Sequence, residues 1–228
     1  MSSAVHTIIN AGGPDAASAR ESALDFDSLE RASVQTQPFP FLIVPGFVRS
    51  AALPGIGRDF PAIEHHGSFP LSTLRFGPAF SAFVGELTSH RMTRIVGRKL
   101  SMDLSAAPTM VTVRGQSRAA DGKIHTDSRT KLVTALIYMN DAWESPRGRL
   151  RLVRSEHDLN DVIAEVPPEQ GTLLLFRNDL NAWHGFEPFS GPRRVIQLNW
   201  VTSASVVRRE QFRHRISALF KRLKRRPA

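Results

Sequence analysis

Two histidines and one carboxylate are the side chains of this sequence whose types and spacing indicate chemistry. His125 and Asp127 form an H-x-D pair, and His184 follows much later in the chain. A set of two histidines and one carboxylate can hold a non-haem ferrous ion on one triangular face of an octahedron, which leaves the opposite face open for chemistry. The sequence therefore predicts a metal site made of His125, Asp127 and His184.

The geometry of a β-strand can explain the spacing of these three residues. If His125 lies at the end of a strand, alternation places residues i and i+2 on the same side, so that His125 and Asp127 both point inward. The third ligand must then come from a strand that is a neighbour in space. The apolar segment 172–176, followed by a polar turn, is expected to deliver His184 at the edge of such a strand.

Other metal-binding sets are disfavoured by composition and context. The chain has no cysteine, which excludes disulfides and thiolate metal sites and leaves His, Asp and Glu as ligands. His65 and His66 lie in a Gly- and Pro-flanked loop, and side chains at i and i+1 seldom converge. His157 is an alternative third ligand, but it lies in a polar stretch that no strand is expected to deliver.

An open ferrous site needs a fixed cation to hold an anionic co-substrate, and two adjacent arginines follow His184. The chain resembles the prolyl 4-hydroxylase-like branch of the 2-oxoglutarate and Fe(II)-dependent dioxygenases in an ordered set of residues: His125, Asp127, His184, Arg194 and, six residues further on, Trp200. With its flanking strands, the likeness covers about residues 108–202. It implies a double-stranded β-helix, or jelly-roll, that uses Fe(II), 2-oxoglutarate and O2, with ascorbate as an additional reductant.

The resemblance also implies how the co-substrate is held. 2-Oxoglutarate would chelate Fe(II) through its 2-oxo acid end, and its other carboxylate would bind Arg194 and the hydroxyl of Tyr138. Arginine suits this task because its planar fork forms two parallel hydrogen bonds with a carboxylate. Arg194 is preferred over Arg193 because alternation places it on one strand face with Trp200, the position with which the family pairs its arginine. Arg193 is then expected to face outward.

The predicted cofactor-binding residues are Arg194, Tyr138, Arg114 and Trp200, and the last three have an ordinary structural alternative. Arg114, in an alternating segment of residues 108–115, either lines the pocket, as a polar side chain at this register often does in the family, or faces solvent. Tyr138, the single tyrosine of the chain, is either a co-substrate ligand or a core tyrosine with a bonded hydroxyl. Trp200 either lines the site near the metal or belongs to the core.

The length and composition of the chain fit one domain with additions, since it has 228 residues and 41% apolar content. Residues 1–37, rich in Ala, Ser, Gly and Asp, are predicted to be a loosely ordered leader with a short helix. The oxygenase domain is expected over residues 38–202, with its core at about 108–202. The predicted fold class is mainly β: a jelly-roll core with supporting N-terminal helices and a C-terminal amphipathic helix.

The C-terminal segment, residues 203–228, has a different character. Nine Arg or Lys and one Glu lie between residues 208 and 226, so the tail carries +8 of the net charge of +9. Its apolar residues follow one helical stripe: Phe212, Ile216, Leu219, Phe220 and Leu223. A basic amphipathic helix over residues 206–226 can lie on an anionic membrane surface, and packing on the β core is the alternative.

A nucleic-acid partner is a third interpretation of the tail, because phosphate contacts need such charge. Superfamily members that demethylate nucleic-acid bases usually carry a second arginine where this chain has Trp200, which disfavours a demethylase. The N-terminus has no basic segment followed by an apolar run, and no long apolar window follows. A cytoplasmic protein, peripheral at the inner face of the membrane if the tail binds lipid, is therefore expected.

The function that these observations predict is hydroxylation of an unidentified substrate by a 2-oxoglutarate- and Fe(II)-dependent dioxygenase, with release of succinate and CO2. The alternative from a different class is a non-catalytic jelly-roll module that binds a metal or a ligand. Succinate formation from 2-oxoglutarate distinguishes the two.

Overall fold

The computed structural model describes residues 21–209 of the chain. Four helices precede most of the strands: α1 (Phe26–Arg31), α2 (Leu53–Arg58), α3 (Pro78–Leu87) and α4 (His90–Leu100). Nine strands follow one another in the order β1 (Phe41–Val44), β2 (Phe69–Pro70), β3 (Thr109–Ser117), β4 (Lys131–Tyr138), β5 (Leu150–Val153), β6 (Val162–Val166), β7 (Leu173–Arg177), β8 (His184–Gly185) and β9 (Gly191–Val201).

The strands form two antiparallel sheets. The larger sheet has six strands in the order β1-β7-β4-β9-β3-β2, and the smaller sheet has three in the order β6-β5-β8. Strands that are distant in sequence are neighbours here, since β9 pairs with both β3 and β4. The prediction of a mainly β, jelly-roll fold with supporting helices is confirmed, and the two sheets do not form a closed barrel.

The larger sheet is buried on both faces. Its first face packs on the helices in one apolar cluster, to which β9 contributes Ile196, Leu198 and Trp200. Its second face looks toward the smaller sheet, and the cluster between the sheets includes Tyr138 of β4 and Val195 of β9. We call these the helix face and the pocket face. Because side chains alternate along a strand, one strand supplies both clusters.

The helices form where the sequence provides caps and helical spacing. Pro78 lies in the first turn of α3, where it removes no helical hydrogen bond, and its buried residues recur at helical spacing: Phe80, Phe83, Val84 and Leu87. Ser89 caps α4, since its hydroxyl accepts from the backbone N–H of Met92. The two helices thus present one apolar side to the helix face of the larger sheet.

In the predicted leader, the short helix expected over residues 22–32 is observed as α1, whereas loose order is wrong for residues 21–32, which pack on the domain. Leu24 and Leu29 are fully buried in the cluster of the helix face, and Asp25 caps α1. The carboxylate of Glu86, on α3, accepts hydrogen bonds from the backbone N–H groups of Ala23 and Leu24. These contacts join residues more than 60 positions apart, so local composition gave no sign of them. Residues 1–20 lie outside the described part.

The C-terminal prediction falls largely outside the described residues. Residues 204–209 are helical, in agreement with a helix that begins soon after 203, and residues 210–228 are not described. Binding of this segment to an anionic membrane or to nucleic acid therefore stays a prediction, and so does the cytoplasmic location. Within residues 21–209, no helix has the length and apolar character needed to cross a bilayer.

Candidate metal and co-substrate site

The three predicted metal ligands meet at one end of the space between the sheets. One ligand atom each from His125, Asp127 and His184 lies within 4.8 Å of the others. The two histidines form an isolated antiparallel bridge, in which each backbone N–H donates to the other's carbonyl at 3.0 Å. His125, in the segment between β3 and β4, therefore lies directly opposite the third ligand, and the predicted strand end that carries both His125 and Asp127 is not observed.

Both imidazole rings are held in the tautomer that a metal ligand needs. Nδ1 of His125 lies 2.8 Å from the carbonyl oxygen of Lys123, and Nδ1 of His184 lies 2.9 Å from that of Ala182. Because a carbonyl oxygen only accepts, each Nδ1 carries the hydrogen and each Nε2 keeps a lone pair for a metal. Burial, and then the proximity of His125, lowers the pKa of His184 from 6.5 to about 4, so this ring is neutral at physiological pH.

The carboxylate ligand is oriented by two donors. Lys131 Nζ and Thr134 Oγ1 each lie 2.6 Å from an oxygen of Asp127. The Thr134 hydroxyl in turn accepts from Asn199 Nδ2 at 2.8 Å. Burial by itself would raise the pKa of Asp127, but Lys131, His184 and the two hydrogen bonds outweigh it and hold that pKa below 3.8. Asp127 is therefore an anionic ligand with a fixed direction.

The arginine that reaches the pocket is Arg193, so the predicted choice of Arg194 is wrong in its geometry. Arg193 is 4% exposed and donates from Nε to the carbonyl oxygen of Gly148 at 2.9 Å. Its guanidinium carbon lies 4.2 Å from the ring centroid of Phe186. Arg194 is exposed and lies over Phe60, on the helix face. The alternation along β9 was inferred correctly, but the strand face that Arg194 shares with Trp200 is the helix face and not the pocket face.

Trp200 does not line the site, which corrects the second prediction on this strand. It is fully buried in the cluster of the helix face, and its indole Nε1 donates to Thr93 Oγ1 on α4 at 3.1 Å. Of the two alternatives for this residue, the core tryptophan is the one observed. Trp200 packs β9 against the helices and has no contact with the three metal ligands.

Tyr138 and Arg193 together leave two buried polar atoms without a partner. Within residues 21–209, neither the Tyr138 hydroxyl nor Arg193 Nη2 has a hydrogen-bond partner, although neither is in contact with solvent. The guanidinium carbon of Arg193 lies 5.6 Å from the Tyr138 ring centroid. Burial raises the pKa of Tyr138 to about 12, so its hydroxyl remains a proton donor. Arg193 lines the pocket, whereas Tyr138 is fully buried behind it. The two unpartnered donors are of the kind that binds a carboxylate, such as the distal carboxylate of 2-oxoglutarate.

Arg114 also lines the pocket, which decides between its two predicted alternatives. It lies on the pocket face of β3, and its Nη1 donates to Asp121 Oδ2 at 2.7 Å. The pocket also has polar side chains that sequence reasoning missed: Ser68, Thr112, Thr134 and Gln197. Its apolar walls include Leu136, Leu150, Phe186 and Val195.

The functional residues that the sequence analysis missed differ in whether the sequence carried a signal for their role. Lys131 follows Asp127 by four positions and could have been suspected as its ion-pair partner. Thr134 and Asn199 are register partners on β4 and β9, and nothing in the sequence indicates that pairing. Phe186, two residues after His184, becomes recognisable only because Arg193 lies over its ring.

Comparisons with known proteins agree with this geometry. A family model described as the 2OG-Fe(II) oxygenase superfamily matches residues 115–202, a span that contains all three metal ligands and Arg193. A comparison with curated protein sequences gave no match. Several solved structures share the fold.

Two of those structures are prolyl hydroxylases. A prolyl-4-hydroxylase from Pseudomonas putida is similar with a TM-score of 0.53 and 15% identity, over 78% of this chain and 97% of that one. A prolyl hydroxylase from Trichoplax adhaerens, solved with a hypoxia inducible factor peptide fragment, has a TM-score of 0.50 and 19% identity, over 71% and 83% of the two chains. Residues 115–202 are therefore similar to the 2OG-Fe(II) oxygenase superfamily, and the chain has the fold of the prolyl 4-hydroxylases that it resembles.

Proposed function

We propose that His125, Asp127 and His184 hold Fe(II), and that Arg193 and Tyr138 hold the distal carboxylate of 2-oxoglutarate. When bound, the metal and 2-oxoglutarate supply the oxidising chemistry that turns a substrate C–H bond into C–OH, with O2 consumed and succinate and CO2 released. The protein supplies the position and direction of the ligands in a partly buried pocket. The substrate that is hydroxylated is not identified.

One observation carries the assignment of the co-substrate residues. Within the described residues, Arg193 is a buried cation without any salt-bridge partner; its guanidinium lies over the ring of Tyr138, and its Nη2 and the Tyr138 hydroxyl are both buried without a hydrogen-bond partner. A buried charge that lacks a partner is costly, so a pocket of this kind favours an anionic ligand. A dicarboxylate that also reaches the metal ligands meets this need.

The surrounding residues support the same assignment by fixing the guanidinium in place. Gly148 accepts from its Nε, and the ring of Phe186 lies against its plane. Asn140 accepts from the backbone N–H of Arg194 at 2.6 Å and donates to its carbonyl oxygen at 3.2 Å. The backbone next to Arg193 is thereby fixed, so little conformational freedom is lost when the anion binds.

The test compares the two adjacent arginines. Arg193→Gln should weaken 2-oxoglutarate binding to the metal-loaded protein by about 100-fold, because truncating one partner of a buried charge pair costs about 3 kcal/mol. Arg194→Gln, the matched control on the opposite face, should change the affinity by less than about twofold. Calorimetric titration with 2-oxoglutarate measures both values, and succinate formation reports turnover. Equal effects of the two substitutions would refute the assignment of Arg193.

A further inference from the structure

The pocket contains a second guanidinium, Arg114, to which the proposed function assigns no role. It lies on β3, whereas the metal ligands come from residues 125–127 and β8, and the co-substrate pair comes from β4 and β9. Two further polar side chains, Thr112 and Gln197, face each other in register on β3 and β9 and line the same pocket. This polar part of the pocket has no role in the proposed function.

We infer that Arg114 is a specificity-determining residue, which binds an oxyanion of the substrate, either a carboxylate or a phosphate group. This inference rests on the proposed function, because that function assigns both carboxylates of 2-oxoglutarate elsewhere. Arginine suits either group, since its planar fork matches both geometries.

The guanidinium of Arg114 has donors to spare. It donates from Nη1 to Asp121 at 2.7 Å and from Nη2 to Ser68 Oγ at 3.4 Å, which is a long and weak bond. An arginine has five N–H donors, and within residues 21–209 these are its two hydrogen bonds to other side chains. At least one edge of the fork can therefore bind a ligand without loss of an existing strong bond.

The ion-pair partner of Arg114 does not depend on it. Asp121 also accepts from Arg118 Nε at 3.2 Å, from the Arg118 backbone N–H at 3.3 Å and from Ser117 Oγ at 3.5 Å. If Arg114 turned toward a ligand, the Asp121 carboxylate would keep these donors from its own loop. Two guanidinium groups thus share one carboxylate at this side of the pocket.

The charge balance of the loaded pocket favours an anionic substrate. A ferrous ion, Lys131, Arg193, Arg114 and Arg118 contribute positive charge, while Asp127, Asp121 and the two carboxylates of 2-oxoglutarate contribute negative charge. Formal positive charge still exceeds negative charge by two units, or by one unit if Arg118 is left out, since its side chain is 58% exposed and does not line the pocket. In a partly buried pocket, where screening by water is weak, an excess of this kind attracts an anion and disfavours a cation.

Inorganic phosphate is the probe for this site, and its 31P relaxation gives a readout that does not depend on turnover. The full chain is loaded with Mn(II) in the metal site and saturated with 2-oxoglutarate, so that Arg193 is occupied. A paramagnetic ion relaxes only nearby nuclei, so the relaxation reports phosphate that is bound close to the metal site. Phosphate bound to the basic tail adds a background that is the same in the wild type and in Arg114→Gln. We expect saturable relaxation in the wild type, at least a tenfold weaker phosphate affinity in Arg114→Gln, and no change in Arg194→Gln.

A substitution of Asp121 distinguishes anion binding from a role in holding the loop. Asp121→Asn removes a negative charge beside Arg114 and should tighten phosphate binding by about threefold or more. If the pair only fixed the loop, Asp121→Asn and Arg114→Gln would both weaken the binding. Binding that is equal in the wild type and Arg114→Gln would mean that phosphate lies on the metal, and would also overturn the inference.

Two further measurements complete the experiment. Relaxation of 13C-labelled acetate under the same conditions shows whether the site prefers a carboxylate or a phosphate group, and no Arg114-dependent binding of either anion would overturn the inference. The affinity of every variant for 2-oxoglutarate is measured first. Loss of 2-oxoglutarate binding in the wild type would refute the proposed function, whereas intact 2-oxoglutarate binding without an Arg114-dependent anion would refute only the present inference.

Discussion

The two faces of the larger sheet differ in what they bury, although the same strands build both. On the helix face, β9 contributes Ile196, Leu198 and Trp200 to an apolar cluster. On the pocket face, the alternate residues of β9 include Arg193 and Gln197, which line the metal pocket. The helix face is covered by helices of the same chain, which bury its apolar residues. The pocket face keeps donors without partners, which is the mark of a surface that awaits a ligand.

The first prediction tests the helix face and has the largest expected effect. Trp200→Ala should lower the free energy of unfolding by about 4 kcal/mol, since it leaves a large cavity and removes the hydrogen bond to Thr93. Urea denaturation of the metal-free protein measures the change. The affinity of the folded protein for 2-oxoglutarate should stay within about twofold of the wild type, and a tenfold loss would mean that Trp200 acts on the site.

The second prediction tests the support of the metal ligand on the pocket face. Thr134→Val keeps the shape of the side chain but removes the hydrogen bond to Asp127, and should weaken metal binding by roughly 10-fold or more, as is typical when a metal ligand loses its supporting hydrogen bond. Competition with a chelator measures the affinity. Thr112→Val is the matched control, because Thr112 lines the same pocket on β3 and forms no bond with Asp127. Equal losses in both variants would argue against the orienting role of Thr134.

The third prediction has the smallest effect and concerns the tyrosine beside Arg193. Tyr138→Phe removes one donor and should weaken 2-oxoglutarate binding by about 10-fold, which corresponds to about 1.4 kcal/mol for one hydrogen bond to a charged group. The pKa of Tyr138 is raised to about 12, so the hydroxyl is protonated in the folded protein below that pH. The ratio of the two affinities should therefore be constant from about pH 6.5 to 9. A ratio that falls across this range would show that the hydroxyl loses its proton.

The sequence analysis succeeded where the role of a residue follows from its type and from its spacing along the chain. Metal ligands are recognisable because the ion sets their residue types, two histidines and one carboxylate, although His125 and Asp127 lie outside the named strands. The supporting N-terminal helices were predicted, and α3 shows why such helices can be recognised, since its buried Phe80, Phe83 and Leu87 follow helical spacing. The packing of residues 21–32 was not predicted, because the acceptor for Ala23 and Leu24 is Glu86, on a helix that is distant in sequence.

By itself, the sequence determined that Arg193 and Arg194 lie on opposite faces of one strand, since alternation is a property of the extended backbone. It did not determine which face looks toward the metal. If one face of β9 were exposed to water, the alternation of apolar and polar residues along the strand would have shown which face points inward. However, β9 is a central strand with Val195, Ile196, Leu198 and Trp200 buried on its two sides. Only the tertiary structure, through the register of β9 with β3 and β4, decided that Arg193 reaches the pocket.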